Sequence, residues 1–371
     1  MACTRARVIP VRCSTANGWV VGSSSTVGRV PTGWPVSLAW LGCPSGETVV
    51  RSVTITSSSG PGGLLVISVA VRVVLIAMVV AALATGCSTS TPSGTPPPQA
   101  VAAPPGGTHV AKVLTVVEEN HSLEQMRSSM PFLFAVATQY AYATGYTAVS
   151  HPSLPNYLAL SGGSTFGITD DRDPSAHPIP GQSVFGQALA AGKTAKVYAE
   201  SMPTNCAVSN SGDYAVRHTA WAYYVDERAA CQAGQVPMGS PSTGALAGDI
   251  AAGSLPNIGW AIPDLSHDAH DGTLKEADTW LAGWLPMILA GPDFRAGKLA
   301  VVITADEDDN HSDNNVLTVV AAAGLTGKVV TPALTHYSLA GLYDDVVGAP
   351  KLRNSATAPS FAATFGLAVG P

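Results

Sequence analysis

The stretch Ser150-His151-Pro152-Ser153-Leu154-Pro155-Asn156-Tyr157 contains the residue best suited to act as a nucleophile. Ser153 stands just ahead of a turn able to open a helix, and Pro155, two residues on, suits a first helical position. The free N–H groups of that first turn would face any anion that Ser153 attacks. Asn156 comes three residues after Ser153, about one turn away on the same side, where its amide can be donated to a phosphoryl or acyl oxygen. The competing reading makes Ser153 a plain N-cap with no chemical duty.

Acids gather elsewhere in the chain. Asp306-Glu307-Asp308-Asp309-Asn310-His311 comes after an apolar run, and its alternation resembles a calcium loop. That reading fails, because His311 stands where the loop needs glycine and Leu317 where it needs the closing Glu. Adjacent acids straight after a buried strand fit better as two ligands of a hard cation, with Glu119 and Asn120 facing Asp306 and Glu307 from the first strand. The alternative is a solvated acidic loop. His218 lies in an aromatic loop between two cysteines, and His270 in the polar run Pro263-Asp264-Leu265-Ser266-His267-Asp268-Ala269-His270-Asp271-Gly272. Ala191-Gly192-Lys193-Thr194 is no phosphate loop: Gln187 stands where glycine is required, and a helix precedes the strand instead of succeeding it. Neither a GxSxG elbow nor an HExxH helix is present.

These residues must be positioned by regular elements. β-Branched apolar runs predict strands over 109–117, 194–199, 256–262, 298–304 and 316–321. Helices are expected over 130–144, from the Ser153 turn through 157–162, over 182–191 and 273–289, and after residues 335–338. Trp280 and Trp284 on the 273–289 helix read as core. Strands alternating with helices imply an α/β domain with a mostly parallel sheet covered on both faces. Several strands end in acids or histidines, which is how a site is built along one sheet edge.

Composition bounds the rest. The chain has 371 residues, 46% of them hydrophobic, a net charge of -6 and only 19 Lys and Arg, with no basic run to grip a nucleic acid. Residues 1–68 give no assignable fold and read as an upstream extension. The apolar run 64–84 carries Arg72 and leads into Leu83-Ala84-Thr85-Gly86-Cys87. Taken over 69–87 it has the order of a lipoprotein-type signal, with Cys87 as the lipidated first residue of the mature protein. A transmembrane helix is the competing reading, and Arg72 argues against it. Both readings export the remainder of the chain, a Pro/Ser/Thr/Gly tether over 88–107 and then a domain over 108–371. In that setting the two remaining cysteines, Cys206 and Cys231, are expected to form a disulfide that staples the loop carrying His218; two buried thiols are the alternative.

Val117-Glu118-Glu119-Asn120-His121-Ser122, His151-Pro152-Ser153-Leu154-Pro155-Asn156, Arg217-His218, His270-Asp271-Gly272 and Thr304-Ala305-Asp306-Glu307-Asp308-Asp309, in this order, resemble the phosphoesterase family of secreted acid phosphatases and bacterial phospholipases C. The similarity is greatest to its phosphatase branch, which includes phosphatidylinositol 3-phosphatases. The resemblance implies an alkaline-phosphatase-like three-layer α/β/α sandwich and a divalent metal ion of open identity, held by Glu119, Asn120, Asp306 and Glu307. It implies Ser153 as the nucleophile, with Asn156, His218 and His270 contacting the phosphoryl group. Two departures stand out: Asp306-Glu307 where many members have two aspartates, and Ala305 where an aromatic is common. The implied function is an exported phosphomonoesterase acting on a phosphate ester, with a phospholipid headgroup and a lipid-anchored membrane location as further expectations. A phosphodiesterase or phospholipase C, and a non-catalytic ligand-binding lipoprotein, are the alternatives.

Overall fold

The computed structural model describes residues 109–370 throughout and, before them, the backbone of four strands. Arg12–Thr15 pairs antiparallel with Gly18–Val21, and Arg51–Ser59 with Leu65–Val73, in a stretch whose residue pattern predicts no fold. Beyond Val73 the expected signal segment, Cys87 and the tether lie outside the described residues. The chain divides into the units Met1–Thr89 and Ser90–Pro371, and the second holds every candidate site residue.

That second unit begins with β1 (Lys112–Glu118), α1 (Leu123–Ser129), α2 (Pro131–Gln139), β2 (Ala141–Ala143), β3 (Tyr146–Thr147) and α3 (Ser153–Gly162). Next come α4 (Val184–Ala190), β4 (Ala195–Ala199), α5 (Arg228–Gly234), β5 (Gln235–Pro237), α6 (Ala245–Ala252), β6 (Ile258–Ile262), α7 (Leu274–Ala290) and α8 (Pro292–Arg295). It closes with β7 (Leu299–Ala305), β8 (Thr318–Ala322), β9 (Lys328–Val330), β10 (Leu334–Thr335), α9 (His336–Val347) and α10 (Phe361–Phe365). Eight strands form one sheet in the order β9-β2-β8-β7-β1-β6-β4-β5. β8 alone runs antiparallel to its neighbours; the other five pairings are parallel.

All residues of β6 and β7 are buried, which requires cover on both faces and explains their near-continuous apolar sequences, with Thr304 the one polar residue. Two helix groups supply it: α3, α4 and α9 pack on one another, as do α1, α2, α7 and α8. Buried polar groups tie sheet to helix. Tyr343 of α9 meets Thr115 Oγ1 at 2.7 Å and accepts the Trp260 indole N–H at 3.1 Å. Asp278 of α7 accepts the N–H groups of Phe132 and Leu133 at 3.0 and 2.9 Å, capping α2 from outside.

The expected 130–144 helix is shorter than its pattern: α2 ends at Gln139, and residues 141–143 enter the sheet between β8 and β9. An Ala-Tyr-Ala segment carries no breaker to announce this, so the pairing of both its edges decides against helix continuation. The short β5 and β9 and helix α6 are further elements that the residue pattern does not predict.

Candidate active site

Register places the site. In the parallel β1/β7 pair Glu118 lies opposite Ala305, so Glu119 and Asp306 leave the sheet side by side. Asp306 N–H donates to Glu118 O at 3.0 Å, and Glu119 N–H to Asp268 O at 2.8 Å, which draws the loop after β6 to the same edge.

Ser153 is the first residue of α3, with Pro152 at the N-cap and no side-chain cap bond. The helix therefore starts two residues earlier than the proline pattern suggests. Pro155 is its third residue, where the N–H is free of intrahelical bonds anyway. Ser153 is buried, and its Oγ donates to Glu119 Oε2 at 3.0 Å. Tyr157, one turn further, donates to Glu119 Oε1 at 2.7 Å. The carboxylate of Glu119 thus aims the hydroxyl and is itself held.

The amide of Asn156 is engaged within the chain. Its Nδ2 donates to Ser150 O and Glu307 Oε2, both at 2.9 Å, and its Oδ1 accepts the N–H groups of Val149 and Ser150, both at 3.1 Å. In this arrangement Asn156 ties the 149–152 turn to Glu307 and offers no free donor to a phosphoryl oxygen.

His218 sits at the centre of the buried face. Its Nε2 is 3.2 Å from Glu119 Oε1, its Nδ1 is 3.1 Å from Asp268 Oδ2, and its ring stacks on Tyr157 at 5.0 Å with 9° between planes. Burial, then the charges of Arg217 and His270, push the imidazole well below its usual pKa, so it stands neutral with a lone pair available. His270 lies at the rim, partly exposed: its Nδ1 is 2.7 Å from Asp271 Oδ1, and its Nε2 accepts from Arg217 Nη2 at 3.0 Å. Its ring centre is 6.1 Å from that of His218.

The donor set fits a cation. One ligand atom each from Glu119, His218 and Asp268 lie within 4.8 Å of one another. Asp306 Oδ2, Asn120 Oδ1, His218 Nε2 and Asp268 Oδ2 are buried with no hydrogen-bond partner among the described residues. Such orphaned acceptors are costly unless a positive ligand satisfies them. Burial, then Asp306 and Asp268, raises the Glu119 carboxyl well above its usual value. Burial likewise lifts Asp306 and Asp268 to about 7, and burial with the charge of Asp306 lifts Glu307 to about 9. Carboxyls crowded in this way hold protons that a cation would replace.

The structure brings together Glu119, Asn120, Ser153, His218 and Asp306, with Glu307 held through Asn156 and His270 at the edge. Sequence reading missed Asp268, Tyr157 and His151. Asp268 is one acid among several after β6, with nothing in its neighbourhood to single it out. His151 stands 3.2 Å from Glu307 Oε2 and 3.3 Å from Asp308 Oδ1. Asp308 itself builds its loop, accepting N–H groups of Asn310 at 2.7 Å, Ser312 at 2.6 Å and Asn314 at 3.1 Å. His267, between Glu200 and Asp264 at 3.0 and 3.1 Å, belongs to a separate group. The expected disulfide is formed: Cys206 and Cys231 are bonded across a Cα distance of 5.5 Å, enclosing the segment that carries His218.

Known proteins share features of this chain. A sequence model of the phosphoesterase family matches residues 124–340. A phosphatidylinositol-3-phosphatase of Mycobacterium tuberculosis is 30% identical over 261 residues, 69% of this chain and 83% of its own. A phosphate-repressible acid phosphatase of Penicillium chrysogenum is 26% identical over 59% of this chain, which spans about half of that relative, 55%. Among solved structures, a Vibrio parahaemolyticus protein of the alkaline phosphatase superfamily aligns at a TM-score of 0.45 and 9% identity, over 64% of this chain and 66% of its own.

Proposed function

The chain belongs to the phosphoesterase family, and from that premise we propose that it is an exported, metal-dependent phosphomonoesterase acting through a phosphoserine intermediate. The observation that carries the reading is the Ser153 hydroxyl, buried at a helix N-terminus and hydrogen-bonded to a carboxylate among orphaned acceptors. Glu119, Asp306, Asn120, His218 and Asp268 would hold a divalent cation, which supplies positive charge to polarise phosphoryl oxygens and to favour the deprotonated serine.

The chain's own residues account for the remaining steps. Ser153 Oγ has a proton acceptor in place at Glu119 Oε2. Attack on phosphorus forms the Oγ–P bond and breaks the P–O bond to the alcohol, and water then hydrolyses the phosphoserine and releases inorganic phosphate. His270, whose Nε2 accepts from Arg217, holds that guanidinium at the rim. The departing alkoxide takes its proton from water, and buried, neutral His218 is suited to ligation. Asn156 acts indirectly by holding Glu307 and the 149–152 turn. A phosphoinositide headgroup is the proposed substrate class, by analogy with the mycobacterial relative's name.

Export rests on the disulfide and on the signal-like run ending at Cys87, whose acylation intact-mass measurement of membrane-extracted protein would establish or refute. The activity test compares a phosphate monoester with a diester on the purified full chain, with and without chelator. The proposal expects monoester turnover that chelation abolishes. Diester preference would move the chain to the phospholipase C reading, and undiminished turnover after exhaustive chelation would remove the metal.

A further inference from the structure

The first turn of α3 already holds an anion belonging to the chain. The N–H of Leu154, the residue after Ser153, donates to Asp171 Oδ1 at 2.9 Å. The other oxygen of Asp171 lies 3.9 Å from Arg217 Nε, a buried nitrogen with no hydrogen-bond partner among the described residues. Arg217 in turn reaches His270, and its charge acts on Glu119, Asp268 and His218. The negative charge of Asp171 is likewise felt at the site, where it raises Glu307 and opposes the depression of His218.

Geometry sets a conflict. A phosphorus atom attacked by Ser153 Oγ carries non-bridging oxygens that reach the N–H one residue further along the same helix turn, since free amides there are the natural donors to an anionic oxygen. A guanidinium alongside is the natural second donor. Asp171 occupies the first and faces the second. Its side chain is 35% exposed, on a stretch from Gly163 to Ser183 that contains no helix or ladder strand, so withdrawing it requires no element to unfold.

We propose that Asp171 is a resident anion that the substrate displaces: it holds the Leu154 N–H and faces Arg217 in the structure, and a phosphate monoester takes over both donors when it binds. This rests on the phosphatase reading and deepens it by naming a source of substrate selection. Exchanging one carboxylate for a phosphate dianion on the same donors is favourable in charge, whereas exchanging it for a diester monoanion is neutral. The pair therefore favours monoesters over diesters.

The test measures inorganic phosphate binding by titration calorimetry, together with steady-state kinetics on p-nitrophenyl phosphate and bis(p-nitrophenyl) phosphate, using the full chain with divalent cation. Asp171→Asn weakens the competitor while keeping an acceptor for Leu154, so Kd for phosphate and KM for the monoester should each fall by about three- to tenfold, the latter being up to ~1.4 kcal/mol. Asp171→Ser is a second variant that must move in the same direction. Arg217→Gln should weaken phosphate binding about tenfold and lower the monoester-to-diester ratio of kcat/KM by a similar factor. A merely structural Asp171 would instead lower the melting temperature and leave Kd and KM unchanged or raised in both variants, which would overturn the proposal. If the wild-type chain turns over no phosphate ester but phosphate affinity still ranks Asp171→Asn above wild type above Arg217→Gln, the phosphatase reading fails while the resident anion stands. If turnover is present and that ranking is absent, the outcome is the reverse.

Discussion

Removing the Ser153 hydroxyl separates chemistry from structure at one atom. Because Pro152, not Ser153, occupies the N-cap, Ser153→Ala removes no cap bond, and its structural cost is limited to the lost Oγ donation to buried Glu119, about 1–3 kcal/mol. If Oγ forms the phosphoenzyme, the same change should cost about three or more orders of magnitude in kcat on a monoester. Acid-quenched wild type should also carry labelled phosphate on the peptide containing Ser153. Undiminished turnover with no label would mean that the hydroxyl only orients Glu119. Asp268 gives the matching prediction for the cation. Asp268→Asn keeps the shape but removes charge beside His218, and should weaken divalent-cation affinity about tenfold or more, read by titration into metal-stripped protein. Legibility differs sharply between these two residues. Ser153 and the acid pairs are visible because short motifs sit directly at strand ends or a helix start. Asp268 is not, because its role depends on a backbone contact with Glu119 that only folding creates.

Elements, in contrast, are legible wherever hydrophobic pattern and burial coincide. The largely apolar runs that form β1, β6 and β7 are buried on both faces apart from the partly buried Lys112, so their sequences leave little choice. Residues 141–143 defeat the pattern because alternating Ala and Tyr suit helix or strand alike, and β8 and β9 settle the matter from elsewhere in the chain. Helix α9 carries a buried acid that nothing in its local sequence marks. Asp344 Oδ2 accepts the Leu352 N–H at 2.9 Å, while burial lifts its carboxyl to about 7 from the usual 3.8. A carboxyl raised on folding contributes stability that is fully present below the unfolded value, near 3.8, and is lost as pH rises through about 7. Asp344→Asn keeps an acceptor for Leu352 and cannot ionise. It should therefore melt higher than wild type above pH 7 and match it near pH 4, as followed by circular dichroism. A constant difference across that range would show that ionisation of Asp344 does not limit stability.

At the scale of the whole molecule, the sheet concentrates charge of one sign. Glu118, Glu119, Asp268, Asp306 and Glu307 all sit at the edge formed by β1, β6 and β7, and burial raises every one of them. Raised carboxyls favour the folded state in acid and burden it as pH climbs, so the metal-stripped domain should lose melting temperature steadily from about pH 4.5 toward pH 9. A divalent cation binds the deprotonated set, so its hold should tighten over the same interval as fewer protons compete. Ligand that binds only the folded chain adds about 2.7 kcal/mol at a hundredfold excess over Kd. The gap between cation-loaded and chelated melting temperatures should therefore be small near pH 4.5 and widen toward pH 9. Scanning calorimetry at fixed cation concentration reads both curves directly. Parallel curves, or a gap that closes with rising pH, would mean that these acids repel one another without sharing an ion, and the cation would have to be sought at a different set of side chains.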